Sequence, residues 1–319
     1  MTAVQDIHVA VGVIFREGNV LIARRPDHVH QGGLLEFPGG KVEAGETVQQ
    51  ALVREIREET GLRIPPDTLE PVIEIRHDYG DKRVILDVWE TSTAEGEPEG
   101  REGQEIRWLD VRELADADFP AANRPIIRAL RLPRHYAITG SALSAEAFLK
   151  QVQERVKEAP PELCLLRAPE FSEEVYVELA DWSLEVCQAS ESALMLHGAP
   201  SLLEHSPGVS GLHLPWQEAR QHSARPVPSG YLLAISCHNE EEIAHAGQLQ
   251  ADFITLGPVK PTPSHPGAPG MGWGRFRELV AAATVPVYAL GGLSPQDVAE
   301  ARRAGAQGIA GISFWWPRV

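Results

Sequence analysis

The sequence predicts an α+β unit over residues 1–132 followed by a parallel (β/α)8 barrel over residues 133–319, with the barrel's last helix shortened or missing. Three observations carry that reading. The 319 residues fit two domains at roughly 150 residues each. The periodicity of the chain changes near residue 133. Beyond that point eight short apolar runs alternate with amphipathic segments, and eight is the strand number that closes a parallel barrel.

In the first part, HVAVGVIF (8–15) and VLIA (20–23) read as strands, and a segment from about Glu46 to Thr60 has helical period. RVILDVWE (83–90) reads as a strand, TSTAEGEPEGREGQ as an acidic turn-rich stretch, and EIRWLD as a short strand before a helix from about Arg124 to Leu130. Helices set apart from a mostly non-parallel sheet define the α+β class.

In the second part the apolar runs are HYAIT (135–139), LCLLRA (163–168), ALMLHG (193–198), GLHLP (211–215), YLLAIS (231–236), DFITLGPV (252–259), VPVYALGG (285–292) and GIAGISF (308–314). Helix-like segments fall at 144–158, 172–189, 216–223, 239–249, 274–283 and 295–304. An open dinucleotide-binding sheet is the rival architecture, but no G-x-G-x-x-G follows the first run.

Charge narrows the function. With 29 basic and 45 acidic side chains the net charge is -16, which argues against bulk nucleic acid and membrane surfaces as partners. A small anion remains open if a divalent cation accompanies it. Cys164, Cys187 and Cys237 are odd in number and widely spaced, so no disulfide framework is expected and a reducing compartment is. The start of the chain lacks the pattern of a signal peptide, and no apolar run reaches the 18 or more residues of a membrane span, so a cytoplasmic location is expected.

The informative stretch is LEFPGGKVEAGETVQQALVREIREETGL, residues 35–62. Glu55, Glu58 and Glu59 stand at i, i+3 and i+4, so a helix brings the three carboxylates onto one face. They are either a solvated acidic face, partly relieved by Arg54 reaching Glu58, or a cation site. The surrounding loop favours the second. Pro38-Gly39-Gly40 and Gly45 build a tight turn into the helix, Glu46 is expected to open it and Gly61 to end it. Mg2+ takes one or two carboxylates and completes its shell with water and phosphate oxygens, and it activates water toward phosphorus.

The spacing Gly40-x5-Glu46-x7-Arg54-Glu55-Ile56-x-Glu58-Glu59-x-Gly61-Leu62 is that of the Nudix box, and residues 6–132 resemble the MutT-type 8-oxo-dGTP diphosphatases. The resemblance implies Mg2+, with Mn2+ as the alternative, held by Glu55, Glu58, Glu59, the carbonyl of Gly39 and the loop carboxylate Glu102. It implies Glu55 as the group that orders or deprotonates water, and Arg54 as the group that orients the carboxylates. Arg25, His30 and Glu36-Phe37-Pro38 match positions lining the nucleotide. Asn123 matches the amide that reads the purine, where one donor and one acceptor suit the O6 and N7–H edge of 8-oxoguanine. Plainer readings stay open: His30 as a loop residue, Phe37 as core, Asn123 as a helix cap and Glu102 as solvated loop. Tyr79 and Lys82 depart from the MutT pattern. The implied reaction converts a nucleoside triphosphate and water to a nucleoside monophosphate and pyrophosphate.

Residues 133–319, most strongly 231–314, resemble thiamine-phosphate synthases and TenI-type thiazole tautomerases. Gly291-Gly292 and Ser313 fall where such barrels bind phosphate through backbone N–H groups. Thr262, Ser264 and His265 lie on a loop that can close over a ligand, and His238 matches the tautomerase's acid/base histidine. The synthase's acidic metal ligands are missing, since the corresponding places read His197-Gly198 and Pro215-Trp216-Gln217. Thiamine-phosphate synthesis is therefore not expected; a ligand-binding or degenerate thiamine-pathway module is, with thiazole phosphate or a related compound as the candidate ligand. Two rivals stand beside the 8-oxo-dGTP reading. One is hydrolysis of another nucleotide or a thiamine-pathway pyrophosphate; the other is a thiazole sensor that regulates the first half.

Overall fold

The chain divides into two compact units, Met1–Arg131 and Leu132–Val319, and the computed structural model describes residues 5–27, 31–78, 82–262 and 269–316. In the first unit the elements run β1 (Gln5–Arg16), β2 (Asn19–Arg24), β3 (Leu35–Glu36), β4 (Gly39–Lys41), α1 (Val48–Thr60), β5 (Glu70–Asp78), β6 (Lys82–Thr91), β7 (Ile106–Asp110) and α2 (Arg124–Arg131). They form one sheet whose main path is β3-β2-β1-β6-β5, with β4 added beside β1 and β7 beside β2. β1 and β6 run parallel and the other pairs antiparallel.

The alternation of β1 feeds two cores. Ala10 and Ile14 pack with Ala51, Leu52 and Ile56 of α1. Val11 and Val13 point the other way, into the core that holds Ile126 and Ile127 of α2. One sheet thus has a helix on each face, and α1 is pressed against the strands that carry the glycine loop.

Helix α1 begins two residues later than its charge pattern implies. Thr47 is the N-cap, accepting from the Gln50 N–H at 3.2 Å, while the Gln50 side chain accepts from the Thr47 N–H at 2.8 Å. This reciprocal pair satisfies two otherwise orphaned donors. Glu46 lies outside the helix, and Gly61 at φ 75° ends it. Sequence reading missed β3, β4 and β5. The first two hold two and three residues, and β5 carries a register shift between Pro71 and Ile73 that interrupts its alternation.

The second unit is a closed parallel barrel. Its elements run β8 (His135–Ile138), α3 (Ala145–Glu158), β9 (Leu163–Leu166), α4 (Glu173–Gln188), β10 (Ala193–His197), α5 (Leu202–His205), β11 (Gly211–Leu214), α6 (Trp216–Ala219), β12 (Leu232–Cys237), α7 (Glu240–Gln248), β13 (Phe253–Leu256), α8 (Gly272–Val280), β14 (Val287–Leu290), α9 (Val298–Arg303) and β15 (Gly308–Gly311). All eight runs are strands. The helix expected over 216–223 is a single turn, and α5 was not foreseen. Among the described residues no helix follows β15. Trp315 and Trp316 close that side instead, with the Trp315 indole donating to the Ala159 carbonyl at 2.9 Å.

The barrel interior is a packed core. Tyr136, Phe253 and Tyr288 meet at centroid distances of 5.2 to 5.6 Å, the edge-to-face spacing aromatic rings prefer. Among the described residues no helix is long and apolar enough to cross a membrane.

Candidate functional site

In the first unit, β4 brings Gly39 and Gly40 against Val11 and Ala10 of β1, and α1 lies directly over them. A side chain at Gly40 would meet the Glu55 carboxyl carbon at 2.2 Å, and one at Gly39 would meet the Ala10 carbonyl oxygen at 2.2 Å. Gly40 therefore leaves room for the Glu55 carboxylate on the loop backbone, and Gly39 for the close approach of β1. The Gly39 N–H donates to Glu59 at 3.1 Å.

Arg54 organises the acids. It donates to Glu55 at 2.7 Å, to Glu58 at 3.3 Å, to both Glu46 oxygens at 2.8 and 2.9 Å, and to the Lys41 carbonyl at 3.1 Å. Its hydrogen bonds to Glu46, and then to Glu55, raise its own pKa well above the usual range. The Arg54 hydrogen bond holds the Glu46 carboxyl down at about 2. Glu46, expected to complement the helix dipole, instead clamps the arginine that holds Glu55 and Glu58 in place.

Glu59 is the group under electrostatic load. Burial pushes its carboxyl up to about 8; the Gly39 N–H opposes that rise, and the carboxylates of Glu36, Glu102 and Glu55 add to it. Glu36 is likewise raised by burial and held partly down by Arg25, with which it forms an ion pair. Glu102 reaches this cluster because its loop is bound to the end of α1. The Arg101 N–H and the Gln104 amide both donate to the Glu59 carbonyl, at 2.9 and 3.2 Å.

Four carboxylates from three segments thus face one another with a single guanidinium on each flank. Among the described residues, as placed, no group of three or more acidic, imidazole or thiol side chains stands close enough to hold a metal ion. Mg2+ needs only one or two carboxylates, since it keeps waters and shares its shell with phosphate. A carboxyl forced toward its neutral form by like charges is what a divalent cation relieves, so these residues fit the ion.

The other nucleotide positions are more dispersed. Phe37 is 4% exposed and its ring stacks on Phe119 at 5.6 Å, so the ring packs the core. Pro38 is buried, and its carbonyl accepts from the Gly12 N–H at 2.8 Å. Asn123 ends a short 3-10 turn, half-buried, just before α2. His30, Tyr79, Ser264 and His265 lie outside the described residues.

The barrel mouth differs in kind. His197 ends β10, at a place where the synthase pattern has an acid, and lines a cavity of about 260 Å³ together with Tyr176, Glu173 and Gly198. Burial, reinforced by the Arg167 charge, pushes His197 down to about 4. His213 on the next strand is likewise lowered by burial. His213 stands 3.1 Å from the Tyr136 hydroxyl and 2.9 Å from the Ser236 hydroxyl. The Thr255 hydroxyl, across the strand pair from Ser236, is buried without a partner. Sequence reading missed this polar tier. Its one signal was His213 in the alternation of GLHLP, whose inward direction only barrel closure reveals.

His238 follows β12, and its backbone N–H and Nδ1 both lie 2.8 Å from the buried Glu242 carboxylate. Gly291 and Gly292 adopt φ 101° and 65° and press against Pro258 and Pro261, which leaves the tight turn explained by packing. Thr262 is half-buried and Ser313 exposed.

Comparison with known proteins yields two family matches: residues 10–129 match the NUDIX domain and residues 135–314 match thiamine monophosphate synthase. Over 128 residues the chain is 41% identical to the 8-oxo-dGTP diphosphatase of Escherichia coli strain K12, covering 40% of this chain and 98% of that protein. Over 123 residues it is 34% identical to the CTP pyrophosphohydrolase of the same organism, covering 39% of this chain and 90% of that one. Over 186 residues it is 31% identical to a protein of Aquifex aeolicus strain VF5 provisionally designated thiamine-phosphate synthase 2, covering 58% of this chain and 99% of that one.

Proposed function

We propose, from the premise that this chain belongs both to the NUDIX family and to the thiamine monophosphate synthase family, that its first unit is a magnesium-dependent, cytoplasmic 8-oxo-dGTP diphosphatase. The chain is a hydrolase acting on phosphoric anhydrides. The finer reading is supported by one observation above all, the gathering of Glu36, Glu55 and Glu102 around a Glu59 carboxyl raised to about 8.

Mg2+ or Mn2+, when bound by Glu55, Glu58, Glu59, Glu102 and the Gly39 carbonyl, supplies Lewis-acid polarisation of phosphate and an activated water. Arg54 keeps Glu55 and Glu58 aimed through its paired hydrogen bonds. Glu55 takes the proton of the attacking water. The water oxygen bonds to the β-phosphorus, the bond from that phosphorus to the α–β bridging oxygen breaks, and the monophosphate and pyrophosphate leave. Arg25 with Glu36 flanks the nucleotide, and the Asn123 amide donates to and accepts from the oxidised purine. The barrel serves as a ligand-binding module. Its cationic Arg167 and neutral imidazoles suit a thiazole phosphate, with His238 held by Glu242 at the strand end.

The 34% identity to a CTP pyrophosphohydrolase favours one second reading, a pyrimidine triphosphate as substrate. A kcat/KM panel with Mg2+ separates the two: preference for 8-oxo-dGTP over dGTP and CTP is expected, and preference for CTP overturns the choice of base. A thermal-shift screen of the full chain with thiazole phosphate tests the barrel's role, and an unchanged Tm counts against it.

A further inference from the structure

Beside α1 lies a groove of about 520 Å³ lined by Gln50, Val53, Arg54, Arg57, Glu58, Pro66 and Arg101. Its five α1 residues recur at three- and four-residue spacing, so they form one stripe along the helix. Glu58 is the lone carboxylate among three guanidinium groups. Arg54 is occupied by Glu46, Glu55 and Glu58. Arg57 and Arg101 have no carboxylate partner among the described residues; the Arg101 side chain donates only to the Arg57 carbonyl, at 3.2 Å. In a chain of net charge -16, two arginines left unneutralised in one hollow form a local positive field that focuses anions.

The stripe also has a direction. Arg54 lines the groove and also holds Glu55 of the carboxylate cluster, so an anion in the groove sits one side chain away from that cluster. The planar guanidinium fork matches the oxygens of phosphate in a way that no single carbonyl contact uses up. Capping the end of α1 accounts for one N–H of Arg101 and for none of the Arg57 side chain.

We infer that this groove grips the terminal (γ) phosphate of the triphosphate substrate, and the pyrophosphate that leaves, through Arg57 and Arg101, with Arg54 between it and the carboxylates. This rests on the hydrolytic reading above, and it adds what that reading lacks: a reason to prefer triphosphates over diphosphates, and a place from which one product departs last.

The test uses the full chain and inorganic pyrophosphate followed by titration calorimetry, with and without Mg2+. Arg57→Ala and Arg101→Ala are each expected to weaken pyrophosphate binding by about tenfold, as for loss of one charge-assisted contact, and the double variant more. Arg57→Lys restores part of the loss. In turnover, both Ala variants raise KM for a nucleoside triphosphate while kcat and the KM for the matching diphosphate hold. Equal pyrophosphate affinity in the wild type and the double variant overturns the inference even where the wild type hydrolyses triphosphates. Arginine-dependent pyrophosphate binding in a chain that cleaves no nucleotide upholds the groove and sinks the hydrolytic reading instead. Because the Arg57 side chain caps nothing, its variant keeps the test valid if Arg101→Ala loosens the helix end.

Discussion

In both units burial drives an ionisable group toward its neutral form, and the neighbours decide what that is worth. In the first unit Glu59 is raised to about 8, with Glu36, Glu102 and Glu55 adding to the rise. In the barrel His197 is lowered to about 4, with Arg167 adding to the fall. A neutral carboxyl among carboxylates is relieved by a cation. A neutral imidazole beside a guanidinium carries no repulsion for a cation to relieve, and its ring N–H can donate to a neutral or anionic ligand. Two desolvated groups in one chain are therefore loaded by neighbours of opposite charge, and the lost acids of the barrel are part of that difference.

The largest effect that sharpens this comparison is on turnover. Glu59→Gln keeps the shape and removes the charge, and kcat is expected to fall by about a thousandfold or more, the scale of losing a main electrostatic element of a site. His197→Ala, in the other unit, is expected to leave nucleotide hydrolysis within about twofold, because sites that share no partner act independently. Steady-state kinetics on both variants checks this. Equal losses would break the separation of the two sites.

The next effect, about 10- to 100-fold, isolates geometry from charge. At Gly40 an added Cβ would stand 2.2 Å from the Glu55 carboxyl carbon. That group is the far end of a flexible side chain, so Gly40→Ala is expected to displace it at small cost in stability. A displacement on the order of 1 Å near the chemistry costs about a hundredfold. A melting temperature close to that of the wild type, paired with a large fall in kcat, is the expected signature. Unchanged turnover would show that the close approach of Glu55 to the loop is incidental.

What was readable beforehand follows a physical line. Glu55, Glu58 and Glu59 could be placed on one face because helical period is local. The eight barrel strands were legible because each is a short apolar run bounded by turn residues. Glu36 and Glu102 were reached only through resemblance, since sheet pairing and the loop bound to the end of α1 bring them in from elsewhere. Glu46 was misplaced because its partner is a side chain eight residues on, not the helix dipole; the Thr47-x-x-Gln50 pattern carried the true start. β4 escaped notice because Gly39-Gly40-Lys41 has no apolar residue, its strand character coming wholly from pairing with β1. The polar tier of Tyr136, His213, Ser236 and Thr255 depends on which way each strand faces in a closed barrel.

A third effect concerns the ion. Mg2+ must displace the Glu59 proton below about pH 8, so apparent affinity is expected to climb by up to about tenfold per pH unit toward that value, one proton being released. Calorimetry in buffers of different ionisation enthalpy reads both the affinity and the proton. A flat profile from pH 6 to 8 would mean that Glu59 is not in the ion's shell.

The smallest effect is on stability, and it opposes the two units most directly. In the metal-free chain the Glu59 pKa is raised from 4.5 to about 8, so between those values the folded state holds more protons than the unfolded one. Its contribution is whole below pH 4.5 and is lost as pH rises through 8. His197 is lowered from 6.5 to about 4, so there the unfolded state holds more protons. That contribution is whole above pH 6.5 and is lost as pH falls toward 4. Alkaline conditions should therefore loosen α1, and acid conditions β10, each by on the order of 1 kcal/mol once solvent screening is allowed for. Hydrogen exchange of the α1 and β10 amides, corrected for intrinsic rate, resolves the two slopes separately. Mg2+ should flatten the slope at α1 alone, because a bound cation fixes Glu59 as the carboxylate, whereas no cation touches the imidazole. Slopes of the same sign, or flattening at both elements, would mean that the two sites share one electrostatic logic after all.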